Sequence, residues 1–127
     1  MAAYARACAV LVTPEILAAM GATLACGGRN PLKGSRVVSP QVARDVVSVM
    51  ATCGVYDGSG RWMRRVGVPA KSSVSGAIVL SAPGRLGAAV FSPPLDDQGT
   101  SVRGAVLARE LAEQLGLHAF GGADGRG

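Results

Sequence analysis

Apolar residues recur along this chain in two rhythms, and the change from one to the other divides it. Between Thr13 and Gly28, Ile16, Met20 and Leu24 fall four apart with Leu17 beside them, the spacing that puts side chains on one face of a helix. The flanks agree: Thr13 can cap, Pro14 suits the first helical position, Glu15 sits at the positive end of the dipole, and Gly27-Gly28 ends the run. A helix with that apolar stripe buried is predicted. A polar turn from Arg29 to Ser35 follows, and Arg36-Val37-Val38 leads into a second helix of the same grammar. There Ser39 caps, Pro40 comes next, Val42, Val46, Val49 and Met50 form a stripe expected to be buried, and Gly54 stops the run.

Beyond Gly54 the rhythm becomes extended. Asp57 to Gly60 reads as a turn, Arg61 to Val66 as a strand, and Gly67 to Ala70 as a break at Pro69. Val74 to Ser81 and Leu86 to Ser92 are β-rich runs joined by Ala82-Pro83-Gly84-Arg85, the pattern of an antiparallel hairpin. On this reading Val74 is strand core. Pro93-Pro94 ends the second run, because proline supplies no ladder donor, and Asp96 to Gly99 forms a solvated turn. Thr100 or Ser101 then caps a last helix lined by Leu107, Leu111 and Leu115, with Val106 adjacent. Two helices, then strands, then a helix able to cover a sheet make an α+β order, not an alternating βαβ one.

Composition narrows this picture. A chain of 127 residues, 49% hydrophobic, can enclose one modest core and is too short for two ordinary domains. One unit over residues 1–120 is expected, with 121–127 as a flexible tail. Eighteen glycines and 4% aromatics imply a core of Ala, Val and Leu. Cys8, Cys26 and Cys53 make an odd count without a C-x-x-C pair. They are expected to be buried thiols in a reducing compartment, with neither a disulfide framework nor a zinc knuckle. The apolar run near Val10 to Val12 is far shorter than a membrane span, and the first residues lack the order of a signal peptide. A cytoplasmic protein without a membrane partner is expected.

Thirteen Lys and Arg against eight Asp and Glu give a formal charge of +5, which raises the question of nucleic acid. The only adjacent basic pair is Arg64-Arg65, and the other cations are spread from Arg6 to Arg126 without interleaved aromatics. A dispersed surface charge and no nucleic-acid partner are therefore expected. His118, alone past the last helix, is expected to be inert.

Several segments carry a more specific signal. They are Tyr4-Ala5-Arg6-Ala7-Cys8, the run from Leu11 through Ala25, Val37-Val38-Ser39-Pro40, Met50 through Asp57, Arg65 through Ser72, and Phe91 through Asp96. In this order and spacing, from about Tyr4 to Leu115, they resemble the C-terminal part of the serine-dependent bacterial glutaminases. The resemblance implies a β-lactamase/transpeptidase-like α+β fold, an antiparallel sheet flanked by helices, with the N-terminal part missing. It also implies hydrolysis of L-glutamine to L-glutamate and ammonia through an acyl-enzyme, without metal or organic cofactor. A homo-oligomer is expected.

In that family a serine attacks the amide, a lysine three residues later and a tyrosine handle protons, and two backbone amides hold the oxyanion. The resemblance carries four positions over to this chain. Tyr4 and Tyr56 match the family's two site tyrosines, as catalytic and substrate-binding groups. Val74 matches the valine whose backbone N–H is one arm of the oxyanion hole. Lys71, in Lys71-Ser72, resembles the superfamily's Lys-Thr/Ser-Gly element and would act electrostatically.

Two departures stand beside the match. The chain has no Ser-x-x-Lys: its lysines, Lys33 and Lys71, are preceded three residues earlier by Asn30 and Val68. Where the family usually reads Lys-Ser-Gly-Val-Gly-Gly, this chain has serines at Ser73 and Ser75, whose Cβ atoms narrow a cleft that glycine leaves open. The alternative to a glutaminase is therefore an inactive remnant that acts only by associating with a homologue.

Overall fold

The computed structural model describes residues 1–122. The chain runs α1 (Ala2–Cys8), α2 (Pro14–Ala25), α3 (Pro40–Cys53), a 3-10 turn (Tyr56–Gly58), α4 (Ser59–Arg65), β1 (Ala70–Ser72), β2 (Ala77–Ala82), β3 (Leu86–Phe91) and α5 (Val102–Leu115). The three strands form one antiparallel sheet in the order β1-β2-β3. Lys71 lies opposite Val79 and Ile78 opposite Val90.

Alternation along the strands splits the side chains between two layers. Ile78, Leu80 and Ala82 of β2 join Trp62 and Val66 of α4 and Ala108 and Ala112 of α5 in the main core. Trp62 is nearly buried, and its ring N–H donates to Val68 O at 2.8 Å. On the other side α2 lies against β2 and β3. A Cβ on Gly21 would overlap Leu80 O, and one on Gly87 would overlap Ala22 N, so glycine on both partners sets how closely helix and sheet approach.

The helix starts follow the sequence. Thr13 Oγ1 accepts from Ile16 N, Ser39 Oγ from Val42 N and Ser101 Oγ from Gly104 N, at 3.0–3.2 Å. Each satisfies an amide that the first turn leaves without a partner. The Ala82–Arg85 turn joins β2 to β3 as expected.

Several expectations are corrected. Arg61 to Val66 is not a strand: Ser59–Arg65 is helical, and its apolar Trp62 and Val66 lie four apart on one buried face. The sheet-facing side of α2 carries Gly21 and Ala25 rather than Ile16 and Met20, which are about half exposed. Likewise α5 buries Gly104, Ala108 and Ala112, while Leu107 and Leu115 remain outside. On α3 only Ala43 and Met50 are buried, and Val42, Val46 and Val49 are exposed. Small residues let backbones approach, so they, not the largest apolar ones, occupy the contact seams.

Cys8, Cys26 and Cys53 are all exposed, not buried. Val74 is not strand core. It lies in the turn before β2, 71% exposed, because Gly76, at φ 98°, reverses the chain there. Of the expected tail, residues 123–127 lie outside the described residues. No described helix is long and apolar enough to cross a membrane.

Candidate functional site

The site is built around the junction of α3 with β1. At Gly54 a Cβ would overlap Ala70 O, so glycine lets the end of α3 press against the strand. Ser72 N donates to Gly54 O at 3.0 Å, tying the two together. The next residues form the turn that carries Tyr56. Tyr56 has φ 49°, a left-handed conformation that a bulky residue adopts only at an energetic cost. Ser59, itself buried, holds it: its Oγ accepts from Val55 N at 2.9 Å and donates to Tyr56 O at 2.7 Å.

That fixed loop sets the Tyr56 ring beneath Lys71, whose Nζ stands 4.5 Å from the ring centre. An ammonium over a phenol face is attracted by the ring quadrupole, by about 0.5–1 kcal/mol where exposed. Lys71 Nζ also donates to Ser72 O. Tyr56 is 47% exposed, so its hydroxyl is reachable.

Tyr4 is on α1, a helix with no buried residue, and is 75% exposed. Its phenol is held above the ordinary tyrosine range. The first cause is hydrogen bonding with the Cys8 thiol one helical turn on, and the Cys8 charge, slight desolvation and the charge of Tyr56 add to it.

Val74 follows three residues after Lys71. In the turn, Ser73 N donates to Ala77 O, Gly76 N to Ser73 O and Ser75 N to Ser73 Oγ. Ser73 and Ser75 also share a hydrogen bond between hydroxyls at 2.9 Å. Among the described residues the Val74 N–H has no acceptor, so it is the one amide of this turn left to face outward. A Cβ on Gly99 would touch Val74 Cγ1 at 3.5 Å, and one on Gly58 would meet Gln98 Oε1 at 2.9 Å. The loop before α5 thus adjoins both the Val74 turn and the Tyr56 turn.

The structure brings Tyr56 and Lys71 together; Val74 lies in the turn after β1 and Tyr4 on α1, both exposed. Two cavities lie beside this group. One of about 570 Å³ runs between α2 and α3 over the sheet and includes Lys71 in its wall. The other, about 220 Å³, lies between α4 and α5 and holds Arg61, Arg65, Arg109 and Asp96. Neither is lined by Tyr4, Tyr56 or Val74. Among the described residues no three His, Cys, Asp or Glu side chains stand close enough to hold a metal ion. Asp96 forms the expected turn, its Oδ1 accepting from Gln98 N and Thr100 N. His118 packs against Gly67, with Nε2 3.2 Å from Arg64 O, a structural contact. Sequence reasoning missed Gly54 and Ser59 as supports of the site. From the sequence, Gly54 reads only as a helix stop and Ser59 only as part of a turn.

Comparison with known proteins gives a consistent result. The family model described as Glutaminase matches residues 1–120. The chain is 90% identical over 126 residues to a glutaminase of Clavibacter michiganensis subsp. michiganensis, covering 99% of this chain and 39% of that one. It is 50% identical over 117 residues to a glutaminase of Microcystis aeruginosa, covering 92% and 35%. The solved structure of Mglu superposes with a TM-score of 0.87 at 50% identity, over 92% of this chain and 29% of that one. A Bacillus subtilis glutaminase, YbgJ, in covalent complex with 5-oxo-L-norleucine, superposes with a TM-score of 0.83 at 35% identity, over 86% and 40%. The chain spans about two fifths or less of the length of these relatives. It belongs to the glutaminase family, with the β-lactamase-like fold of that family's solved members.

Proposed function

We propose that this chain supplies the tyrosine, lysine and oxyanion-strand side of a site that hydrolyses L-glutamine to L-glutamate and ammonia. The observation that carries the reading is the Lys71 ammonium over the Tyr56 ring at 4.5 Å, three residues before an unpaired Val74 N–H. In this reading a serine attacks the side-chain amide carbon. The Val74 N–H donates to the oxygen as it becomes negative, and ammonia departs with a proton delivered through a phenol. Water then cleaves the ester, releasing glutamate and restoring the serine. The strained backbone of Tyr56 supports its assignment, since such outliers cluster where side chains are held for chemistry. Reaction of the Bacillus subtilis relative with 6-diazo-5-oxo-L-norleucine to a covalent complex is what a nucleophilic mechanism leads one to expect.

Tyr4 serves as a phenol held protonated, Tyr56 as a substrate-side hydrogen-bonding group, and Lys71 as the charge that favours negative oxygen nearby. No metal or organic cofactor takes part. The serine and its lysine partner come from the part of the relatives' length that this chain does not span, because no Ser-x-x-Lys occurs here. A cytoplasmic setting fits three exposed free thiols, which persist in a reducing compartment.

Since the members of such a site act as a unit, this chain alone is expected to release ammonia from L-glutamine only at a residual rate. The change matching Tyr56→Phe, made in the full-length Clavibacter michiganensis relative, is expected to lower turnover there by about 10²-fold. In an amide spectrum titrated with L-glutamine, the Val74 and Tyr56 signals are expected to shift together. Turnover indifferent to Tyr56→Phe, with both signals unmoved, would overturn the assignment. A second reading, association with a homologue without catalysis, is favoured by the exposed apolar faces of α2 and α3.

A further inference from the structure

The positive charge reads as dispersed along the sequence, but the fold gathers part of it. Arg61 and Arg65 stand one turn apart on α4, on the same face, and Arg109 reaches the same cavity of about 220 Å³ from α5. Like charges four apart on a helix repel, yet no carboxylate of the described residues pairs with Arg61 or Arg65. Arg109 has only a loose, exposed partner, its Nε 3.7 Å from Glu113 Oε1. Asp96, the acidic residue of the cavity wall, turns its Oδ1 to the amides of Gln98 and Thr100 instead.

The same wall holds an orphaned hydroxyl. Thr100 is 5% exposed, and its Oγ1 has no hydrogen-bond partner among the described residues. Its backbone is satisfied, since N donates to Asp96 Oδ1 and O accepts from Asp96 N. Buried hydroxyls ordinarily find a partner. The geometry points to a binding site between α4 and α5 for one small, doubly charged oxyanion of the phosphate or sulfate kind. Arginines offer forked N–H donors that match such oxygens, and Thr100 Oγ1 donates the hydrogen it cannot place elsewhere. Trp62 and Val66, also in the wall, give the charges an apolar backing that strengthens their pull. Three guanidiniums outweigh the Asp96 carboxylate, which favours a doubly over a singly charged anion. Size selects a free ion, because pockets that bury a drug-sized ligand run to roughly 300–1,000 Å³. The wall includes neither Tyr56 nor Lys71, and the inference does not rest on the proposed hydrolysis.

Trp62 is the only tryptophan of the chain, so its emission reads the site. At constant ionic strength, inorganic phosphate should change that emission saturably and sulfate should compete, whereas chloride and acetate should do neither. Arg65→Gln and Thr100→Val are each expected to weaken phosphate binding by about tenfold, the loss of one charge-assisted hydrogen bond. Arg64→Gln makes the same change in net charge from outside the wall and should leave the affinity unaltered. Without phosphate, Thr100→Val should be at least as stable as the parent, because it removes a buried hydroxyl that has no partner. Calorimetric titration of the full-length Clavibacter michiganensis relative, 90% identical over this stretch, should also show phosphate binding, an arm independent of how well this chain folds alone. The inference is overturned by a response that does not saturate, or by equal losses in Arg64→Gln and Arg65→Gln, which would leave only net charge. Full affinity or lost stability in Thr100→Val, or no binding by the full-length relative, also overturns it. Adenosine monophosphate binding more tightly than phosphate would do the same, since the occupant would then be a larger phosphate ester.

Discussion

Tyr56 shows how one residue can be named from sequence while its state cannot. Its position within Cys53-Gly54-Val55-Tyr56-Asp57 marked it as a site residue, but its left-handed backbone depends on Ser59 gripping the turn from a later helix. Lys71 was read from a short motif, and the structure places it on β1. Val74 was not read correctly, because a valine among β-formers argues for buried strand, whereas Gly76 turns the chain and puts it outside. The state of Tyr4 is equally a matter of neighbours. With the Cys8 thiol raising it first and Tyr56 last, its phenol should lose its proton at a pH above the ordinary tyrosine range. In a Tyr56→Phe background Tyr4 is the sole tyrosine, so ultraviolet difference titration reads it alone. Adding Cys8→Ala removes the leading cause, and the midpoint should move down toward the ordinary value. A midpoint that ignores Cys8→Ala would detach Tyr4 from the thiol.

At the scale of elements, the helix boundaries were legible because caps are local chemistry: a Thr or Ser oxygen, a proline, then a glycine. The contact faces were not. Periodicity weights Ile, Met and Leu, while the sheet selects Gly21 on α2 and Gly104, Ala108 and Ala112 on α5, the residues that let backbones close up. The misread stretch from Arg61 to Val66 shows the limit of short runs, where apolar residues four apart and a β-rich composition pull in opposite directions. The seam between α2 and the hairpin gives a sharp test. Gly87→Ala is expected to cost about 1–3 kcal/mol in denaturant unfolding, because its Cβ meets α2 backbone that cannot swing aside. Gly60→Ala, in α4 with open space around it, should instead stabilise by about 0.5–1 kcal/mol. The start of α2 also responds to pH. Glu15 is depressed below the usual carboxylate range, first by backbone hydrogen bonding and then by Thr13. A depressed carboxylate stabilises the fold above its unfolded pKa, and that contribution is lost as pH falls through the folded value. Glu15→Gln should therefore melt below the parent at neutral pH, with the gap closing in acid; a gap independent of pH would remove the charge from the account.

For the whole molecule, the α+β order and the hairpin could be read in advance, whereas the exposure of two apolar faces could not, because periodicity shows that a helix face is apolar and not which element packs on it. The consequence is an uneven distribution of stability. One core joins α4, α5 and the inner sides of β2 and β3; α3 contributes only two buried residues, and α1 none. An isolated seven-residue helix is marginal in water, so α1 holds Tyr4 in place only weakly in this chain. Local opening draws on elements with few buried apolar contacts. Amide exchange should therefore rank β2 slowest, α3 intermediate and α1 fastest, with α1 close to unprotected. Protection of α1 comparable to that of β2 would show that the helix carrying Tyr4 is anchored by something other than burial. Fast exchange in α1 would instead show that the packing of this chain leaves Tyr4 on a helix that opens readily.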